Sequence, residues 1–158
     1  MKCDVLIIGS GVAGLALAIK LADSRPDFSI MITTKTDFLD SNSALAQGGV
    51  AAAMDFNQDS IDRHIQDTII AGDGLCDIEV VNEVIHQGPD RIHELIKWGW
   101  KADRTDNKLD LAKEGGHSAH RVVHQGDQSG KSIIEVLISK AKSFPNVTLR
   151  SNMLSIDL

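Results

Sequence analysis

The chain has no tyrosine, and all its aromatic residues together make up 4% of its 158 positions. That leaves too few rings for the stacking platforms on which single-stranded nucleic acids are held. Basic charge is also short. Sixteen Lys and Arg against 22 Asp and Glu give a net charge of −6 with the six histidines neutral, the opposite of a nucleic-acid footprint. Only two cysteines are present, Cys3 and Cys76, too far apart in sequence to frame a disulfide scaffold, so a reducing compartment is expected. No window supplies the roughly 20 apolar residues of a membrane span. Lys2 and the apolar run from Val5 to Ala18 imitate a secretory signal. However, Asp4 stands where positive charge is wanted, and Gly9, Gly11 and Gly14 interrupt the run with turn chemistry. The expectation is a cytoplasmic protein with no nucleic-acid partner and no membrane association. What the chain does have is 42% hydrophobic residues, enough for the core of one ordinary domain.

Val5-Leu6-Ile7-Ile8 is a short continuous apolar run, the pattern of a strand buried on both faces. It leads into Gly9-Ser10-Gly11-Val12-Ala13-Gly14, after which Leu15, Ile19 and Ala22 recur at helical spacing. A turn at Asp23 to Asp27 and a second strand at Ser29 to Thr33 complete a parallel strand–helix–strand unit. Asp37 to Ala53 lacks periodicity and reads as a loop. Asp59 and Ser60 cap a helix with Ile61, Ile65 and Ile69 on one face, ending near Gly72. Asp77 starts another, broken at Gly88-Pro89 because proline removes a donor and clashes with the preceding turn. A further helix then ends at Gly99. Lys101 to Gly116 reads as irregular, His120 to His124 as a strand, and Ser129 as the cap of an amphipathic helix through Ala141. Val147 to Arg150 and Leu154 to Leu158 read as returning strands. The last of these is unfinished, which predicts that the chain is part of something longer.

Each glycine of the first loop has a physical task. Gly9 permits the tight turn, Gly11 lets a diphosphate approach the backbone, and Gly14 lets helix pack on strand. The following helix N-terminus offers free N–H groups and partial positive charge to phosphate. With a buried strand before it and a helix and second strand after it, the loop reads as a dinucleotide site. An NAD-type site expects an acid about 20 residues further on. The second strand instead ends Thr33-Thr34-Lys35, where Lys35 either meets the cofactor's phosphates or ribose or is simply solvated.

Ser41-Asn42-Ser43-Ala44-Leu45-Ala46-Gln47-Gly48-Gly49 is small, uncharged and suited to a backbone passing close to a flat ligand. Together with the first glycine loop and Thr34-Lys35, it resembles the FAD-dependent family of L-aspartate oxidases and the succinate dehydrogenase and fumarate reductase flavoproteins. Lys113-Glu114-Gly115-Gly116-His117-Ser118 resembles the Arg-Glu-Gly-Gly-His-Ser segment of the L-aspartate oxidases, with lysine for the usual arginine. Ile70 to Asp77 also fits that branch. The resemblance runs from Cys3 to Leu158 but covers only the first part of the family's chain, without the capping-domain arginine that handles the proton.

The resemblance implies an α/β fold: a Rossmann-like FAD-binding domain, incomplete, with an inserted mainly helical segment at about 55–100. Residues 1–158 are then its N-terminal portion. It implies FAD held non-covalently, since several relatives carry a flavin-linked histidine where this chain has Asn42. The cofactor-binding residues it carries over are Gly9, Ser10, Gly11, Val12, Ala13, Gly14, Lys35, Ser41, Asn42, Ser43, Ala46, Gln47, Gly48, Gly49, Leu154 and Ser155. The implied reaction is oxidation of L-aspartate to iminoaspartate by hydride transfer to flavin, with oxygen or fumarate as electron acceptor. The product would feed quinolinate and hence NAD synthesis, with quinolinate synthase downstream.

Glu114, His117 and Arg121 are the substrate-pocket candidates. Glu114 would accept from the amino group of aspartate, or is an ordinary loop carboxylate. His117 would bond substrate or flavin. Arg121 would pair a substrate carboxylate bidentately or else a nearby Asp. His117, His120 and His124 lack the accompanying ligands of a zinc site, and no metal is expected. Trp98 and Trp100 read as packing residues, and Cys76 has no adjacent base to make it a nucleophile. Two other readings stay open: a fumarate reductase-like or succinate dehydrogenase-like dicarboxylate oxidoreductase, and a non-catalytic nucleotide-binding module.

Overall fold

A computed structural model describes residues 2–157; Leu158, the end of the expected last strand, lies outside the described residues. In chain order the elements begin with β1 (Val5–Ile8), α1 (Val12–Ser24), β2 (Ile30–Thr33), α2 (Asn42–Leu45), β3 (Val50–Ala51), α3 (Ile61–Ala71) and α4 (Ile78–Trp98). They continue with β4 (Arg104–Thr105), β5 (Lys108–Leu109), β6 (Leu111–Ala112), β7 (Val122–Val123), α5 (Ser129–Lys142) and β8 (Val147–Arg150). The chain divides into two compact units, Met1–Gln47 with Gly130–Leu158, and Gly48–Ser129.

The first unit is built on a parallel sheet of order β1-β2-β8. Its central strand, Ile30-Met31-Ile32-Thr33, is buried throughout, as an apolar run between two parallel neighbours should be. In α1 the residues Leu15, Ala18, Ile19 and Ala22 share the buried face, the spacing read from sequence. In α5, Ile133, Ile134, Leu137 and Ala141 are buried in the same way. The edge strand β1 departs from the expectation of burial on both faces. Ile7 is buried, but Leu6 and Ile8 on the other face are each 48% exposed, because α1 packs on one side of the strand only. Residues 153–157 form no strand, which corrects the expectation of one at Leu154 to Leu158. Leu154 and Ile156 are exposed there, and no described strand runs alongside to pair with them.

The second unit carries α3 and α4 and a small antiparallel sheet of order β3-β7-β6. Ser60 caps α3 by accepting from the Arg63 N–H, and Asp77 caps α4 by accepting from the N–H groups of Glu79 and Val80. The expected break at Gly88-Pro89 does not occur: α4 runs unbroken from Ile78 to Trp98 with Pro89 inside it. Burial of Ile85 and Ile92, two turns apart on one face of a helix that also packs against α3, outweighs the lost donor. Gly99, at φ 116°, ends the helix where only glycine is relaxed. The segment read as irregular holds a hairpin instead, β4 with β5, turned by Asp106 and Asn107 with both φ values positive.

Candidate functional site

In the first unit, β1 ends and the chain turns at Gly9, whose φ of 105° suits glycine alone. A side chain on Gly14 would overlap the Gly9 carbonyl and press on Ile7, so the helix seats directly on the strand end. Ser10 Oγ lies 3.2 Å from the Thr34 hydroxyl and 3.4 Å from the Phe38 carbonyl oxygen, within hydrogen-bond reach of both, joining the loop to the segment after β2. The Ser41 side chain caps α2 by accepting from the Ala44 N–H at 3.2 Å. That turn sets Ser43 Oγ 3.3 Å from the Val12 N–H, at the open start of α1. The two glycine-loop partners, 31 residues apart, are thereby brought together.

A cavity of about 340 Å³ opens at the carboxyl end of the sheet, where ligands of open α/β folds bind. It is lined by Gly9, Ser10, Gly11, Lys35, Ser41, Leu154 and Ser155 from the expected set, with Ile8, Thr33, Thr34, Asp40 and Met153 added. The last segment reaches it because the Thr34 N–H donates to the Arg150 carbonyl and the Met153 N–H to the Thr34 carbonyl. Val12, Ala13 and Gly14 form the first turn of α1 rather than the cavity wall, and Asn42, Ser43 and Ala46 belong to the α2 segment. A glycine-walled cradle at a helix start, a single cation and an apolar wall suit a dinucleotide in charge and shape. Asp40 is an acid that sequence reading passed over because it lies outside the expected interval. Gly130 was passed over as well: its N–H donates to the Ala46 carbonyl at 2.9 Å, and a side chain there would overlap the Ser43 carbonyl.

In the second unit, Gly49 lies against β7, where a side chain would meet the Val123 carbonyl at 2.5 Å and Val122 at 2.6 Å. Packing on this strand by itself therefore requires glycine at 49. The Gly48 carbonyl accepts from the Ser129 hydroxyl at 2.6 Å. A methyl group on Gly48 would stand 3.8 Å from Glu114 Oε1. Gln47 ends the first stretch of the first unit, and Gly48 opens the second unit.

Arg121 is fully buried and its guanidinium is committed to two carboxylates. It donates bidentately to Asp59, at 2.8 Å on both oxygens, and to Asp67 Oδ2 at 2.5 Å. Of its two sequence readings, the structure shows the pairing with aspartate, and the arginine presents no free edge to a substrate. Removing one member of such a buried group costs about 3–5 kcal/mol, because the others stay charged and unpaired. Burial opposes the Asp59 charge, but hydrogen bonds from Arg121 and the Ser60 amide hold its carboxyl below the ordinary range. Burial opposes that of Asp67 too. The Ser118 amide, Arg121 and the Ser118 hydroxyl outweigh it and bring the pKa to about 2.

His117 is half-buried, with its ring edge-on to His64 at 6.2 Å between centroids. Burial, then the Arg121 charge, lowers the His64 pKa and keeps that ring neutral. His120 Nδ1 meets the Leu111 carbonyl at 3.0 Å, and His124 Nδ1 meets Asp103 Oδ2 at 3.1 Å. Among the described residues no group of three or more His, Cys, Asp or Glu is placed to hold a metal ion. Among them, too, no helix is long and apolar enough to cross a membrane.

The parallel sheet, the glycine turn at its carboxyl end and the cavity beside it define a Rossmann-like dinucleotide-binding α/β protein. The chain belongs to the FAD binding domain family, whose pattern matches residues 4–158, and FAD is its cofactor. It is 42% identical over 156 residues to an L-aspartate oxidase of Oryza sativa subsp. japonica named as chloroplastic, covering 98% of this chain and 24% of that one. It is 39% identical to the L-aspartate oxidase of Neisseria meningitidis serogroup B, covering 99% and 30%. Among solved structures, a mutant E. coli quinol fumarate reductase superposes with a TM-score of 0.87 at 31% identity, covering 94% of this chain and 26% of that one. The chain thus spans less than a third of the length of these curated relatives.

Proposed function

We propose that this chain is the cofactor-binding and substrate-selecting part of an L-aspartate oxidase. The observation that carries the reading is the Glu114 carboxylate standing beside Gly48. This joins, within one unit, the segment that resembles the oxidases' substrate loop and the Gly48-Gly49 pair expected to flank the flavin. When bound, FAD supplies the two-electron acceptor. Gly9 to Gly14 would receive its diphosphate at the start of α1, with Ser41, Asn42 and Ser43 closing over it. Lys35, Leu154 and Ser155 would line the nucleotide end, and Ala46, Gln47, Gly48 and Gly49 would run along the flavin. Asn42 has no imidazole to offer, so the cofactor is held non-covalently.

Glu114 accepts a hydrogen bond from the ammonium group of L-aspartate, which succinate lacks; this favours the amino acid over the plain dicarboxylate. His117 sits in the same loop, able to meet the substrate. Arg121 acts at one remove, through Asp67, and does not touch substrate. The product is iminoaspartate, with oxygen or fumarate as final acceptor and a quinolinate-forming enzyme as the next user. A cytoplasmic setting agrees with the net negative charge and the two free cysteines.

The test of the cofactor site is titration of the chain with FAD, followed by flavin fluorescence. Gly11→Val places a branched side chain where Ser43 Oγ already lies 3.3 Å from the position of a Cβ, and against the path of the diphosphate. Flavin binding should be abolished, and unchanged affinity would remove the assignment.

A further inference from the structure

One face of α3 holds the substrate loop. His64, Asp67 and Ala71 recur at spacings of three and four, and Arg63 stands four residues before Asp67, so they lie along one side of the helix. Every one of them meets the segment Glu114 to Ser118. Arg63 donates to the Ser118 carbonyl at 3.2 Å. The His64 ring meets the His117 ring edge-on. Asp67 Oδ2 accepts from the Ser118 N–H at 2.7 Å and from the Ser118 hydroxyl at 2.8 Å. Ala71 Cβ is 3.8 Å from the position a side chain on Gly116 would take. The loop itself is a tight turn, its His117 N–H donating to the Glu114 carbonyl at 3.2 Å, with Gly116 at φ 85°.

We propose that Asp67 is the positioning residue of the substrate loop: by gripping both donors of Ser118 it holds Glu114 at Gly48 and His117 against His64. The proposal rests on the reading of Glu114 given above. Between Asp67 and Glu114 lie only the Ser118 bonds and a four-residue turn, so a shift at Ser118 is passed on to Glu114. Gly115 and Gly116 lack side chains of their own to resist it. Arg121 completes the device. It fills the same oxygen of Asp67 from the buried side, so the carboxylate cannot rotate away from the loop without breaking an ion pair. Three donors converge on Asp67 Oδ2, which an asparagine amide could not replace with the same strength.

The experiment uses the chain without cofactor, isotopically labelled for NMR. In the parent chain, proton contacts between the Glu114 side chain and Gly48 should be observed. Ser118→Ala removes one bond to Asp67 and a longer one from Arg63, and leaves the Asp67–Arg121 pair intact. It should abolish those contacts and speed amide exchange at His117 and Ser118 by about tenfold, the equivalent of one hydrogen bond to a charged acceptor. Val122 and Val123 should keep their shifts as a control for folding. Ser118→Thr retains the hydroxyl and should restore both the contacts and the protection, which a loss of general packing would not predict. Asp67→Asn should resemble Ser118→Ala at the loop. Contacts and exchange that persist in both the Ser118→Ala and Asp67→Asn chains overturn the proposal, as does failure of Ser118→Thr to restore them. Because no flavin or aspartate is used, failure here leaves the FAD titration to judge the functional reading separately.

Discussion

At the scale of single residues, a carboxylate's surroundings decide its use. Glu114 is exposed at the loop tip beside a glycine backbone, free to meet a ligand, whereas Asp59 and Asp67 are occupied by Arg121. Glu114→Gln keeps the shape and removes the charge, and a hydrogen bond involving a charged group is worth about 1.5–3 kcal/mol. In an L-aspartate oxidase of full relative length, kcat/KM for aspartate should therefore fall about tenfold to a hundredfold, with fumarate reduction much less affected. Equal losses on both would show that Glu114 does not discriminate. Acid titration tests the other carboxylate. The Asp67 pKa falls from 3.8 to about 2 on folding. Its contribution is present above the unfolded value and is lost as pH drops through the folded one, amounting to about 2 kcal/mol. His64, lowered from 6.5, adds a loss with the same sign that starts at higher pH. Urea unfolding followed from pH 7 to pH 2 should show stability declining below about pH 6.5 and falling further from about pH 4 to pH 2. Asp67→Asn should remove the acid-most part; a stability that stays flat below pH 4 would contradict the network.

At the scale of elements, helix ends in this chain were easier to read than helix interiors. Ser60, Asp77 and Gly99 each sit where capping chemistry puts them, because a cap depends on a few adjacent residues and the backbone they serve. Pro89 was misread because its local cost, about 3 kcal/mol relative to alanine in a helix interior, competes with burial along the whole length of α4. Asp77→Ala withdraws an acceptor shared by two N–H groups and should destabilise the chain by about 1 kcal/mol, with a range of roughly 0.5–2. Chemical denaturation measures this directly, and an unchanged midpoint would show that α4 does not depend on its cap. The short hairpin β4–β5 carried a readable signal in Asp106-Asn107, a pair suited to positive φ, but its strands of two residues are too brief to show alternation.

At the scale of the molecule, the chain holds a dinucleotide cradle in one unit and the 114–118 loop in the other, yet spans only 24% and 30% of two L-aspartate oxidases it resembles. Catalysis needs substrate fixed and water excluded, and loss of positioning alone costs several kcal/mol of barrier. With FAD and L-aspartate supplied, peroxide release by this chain should stay far below that of a full-length relative. Comparable turnover would place the whole reaction within these residues.

What the sequence determined by itself was local. The strand–helix–strand unit, the glycine turn, the caps and the α5 face each follow from the order and spacing of neighbouring residues. The family resemblance followed from short contiguous motifs. Tertiary structure decided what depends on residues far apart in the chain. It brought Ser43 to the start of α1, gave Arg121 to Asp59 and Asp67, set Asp40 on the cavity wall, and laid the 114–118 loop along α3. It also set Gly49 against β7, where strand packing requires glycine. A side chain's partner is fixed by the path of the backbone between the two, and a linear pattern of residue types does not carry that path.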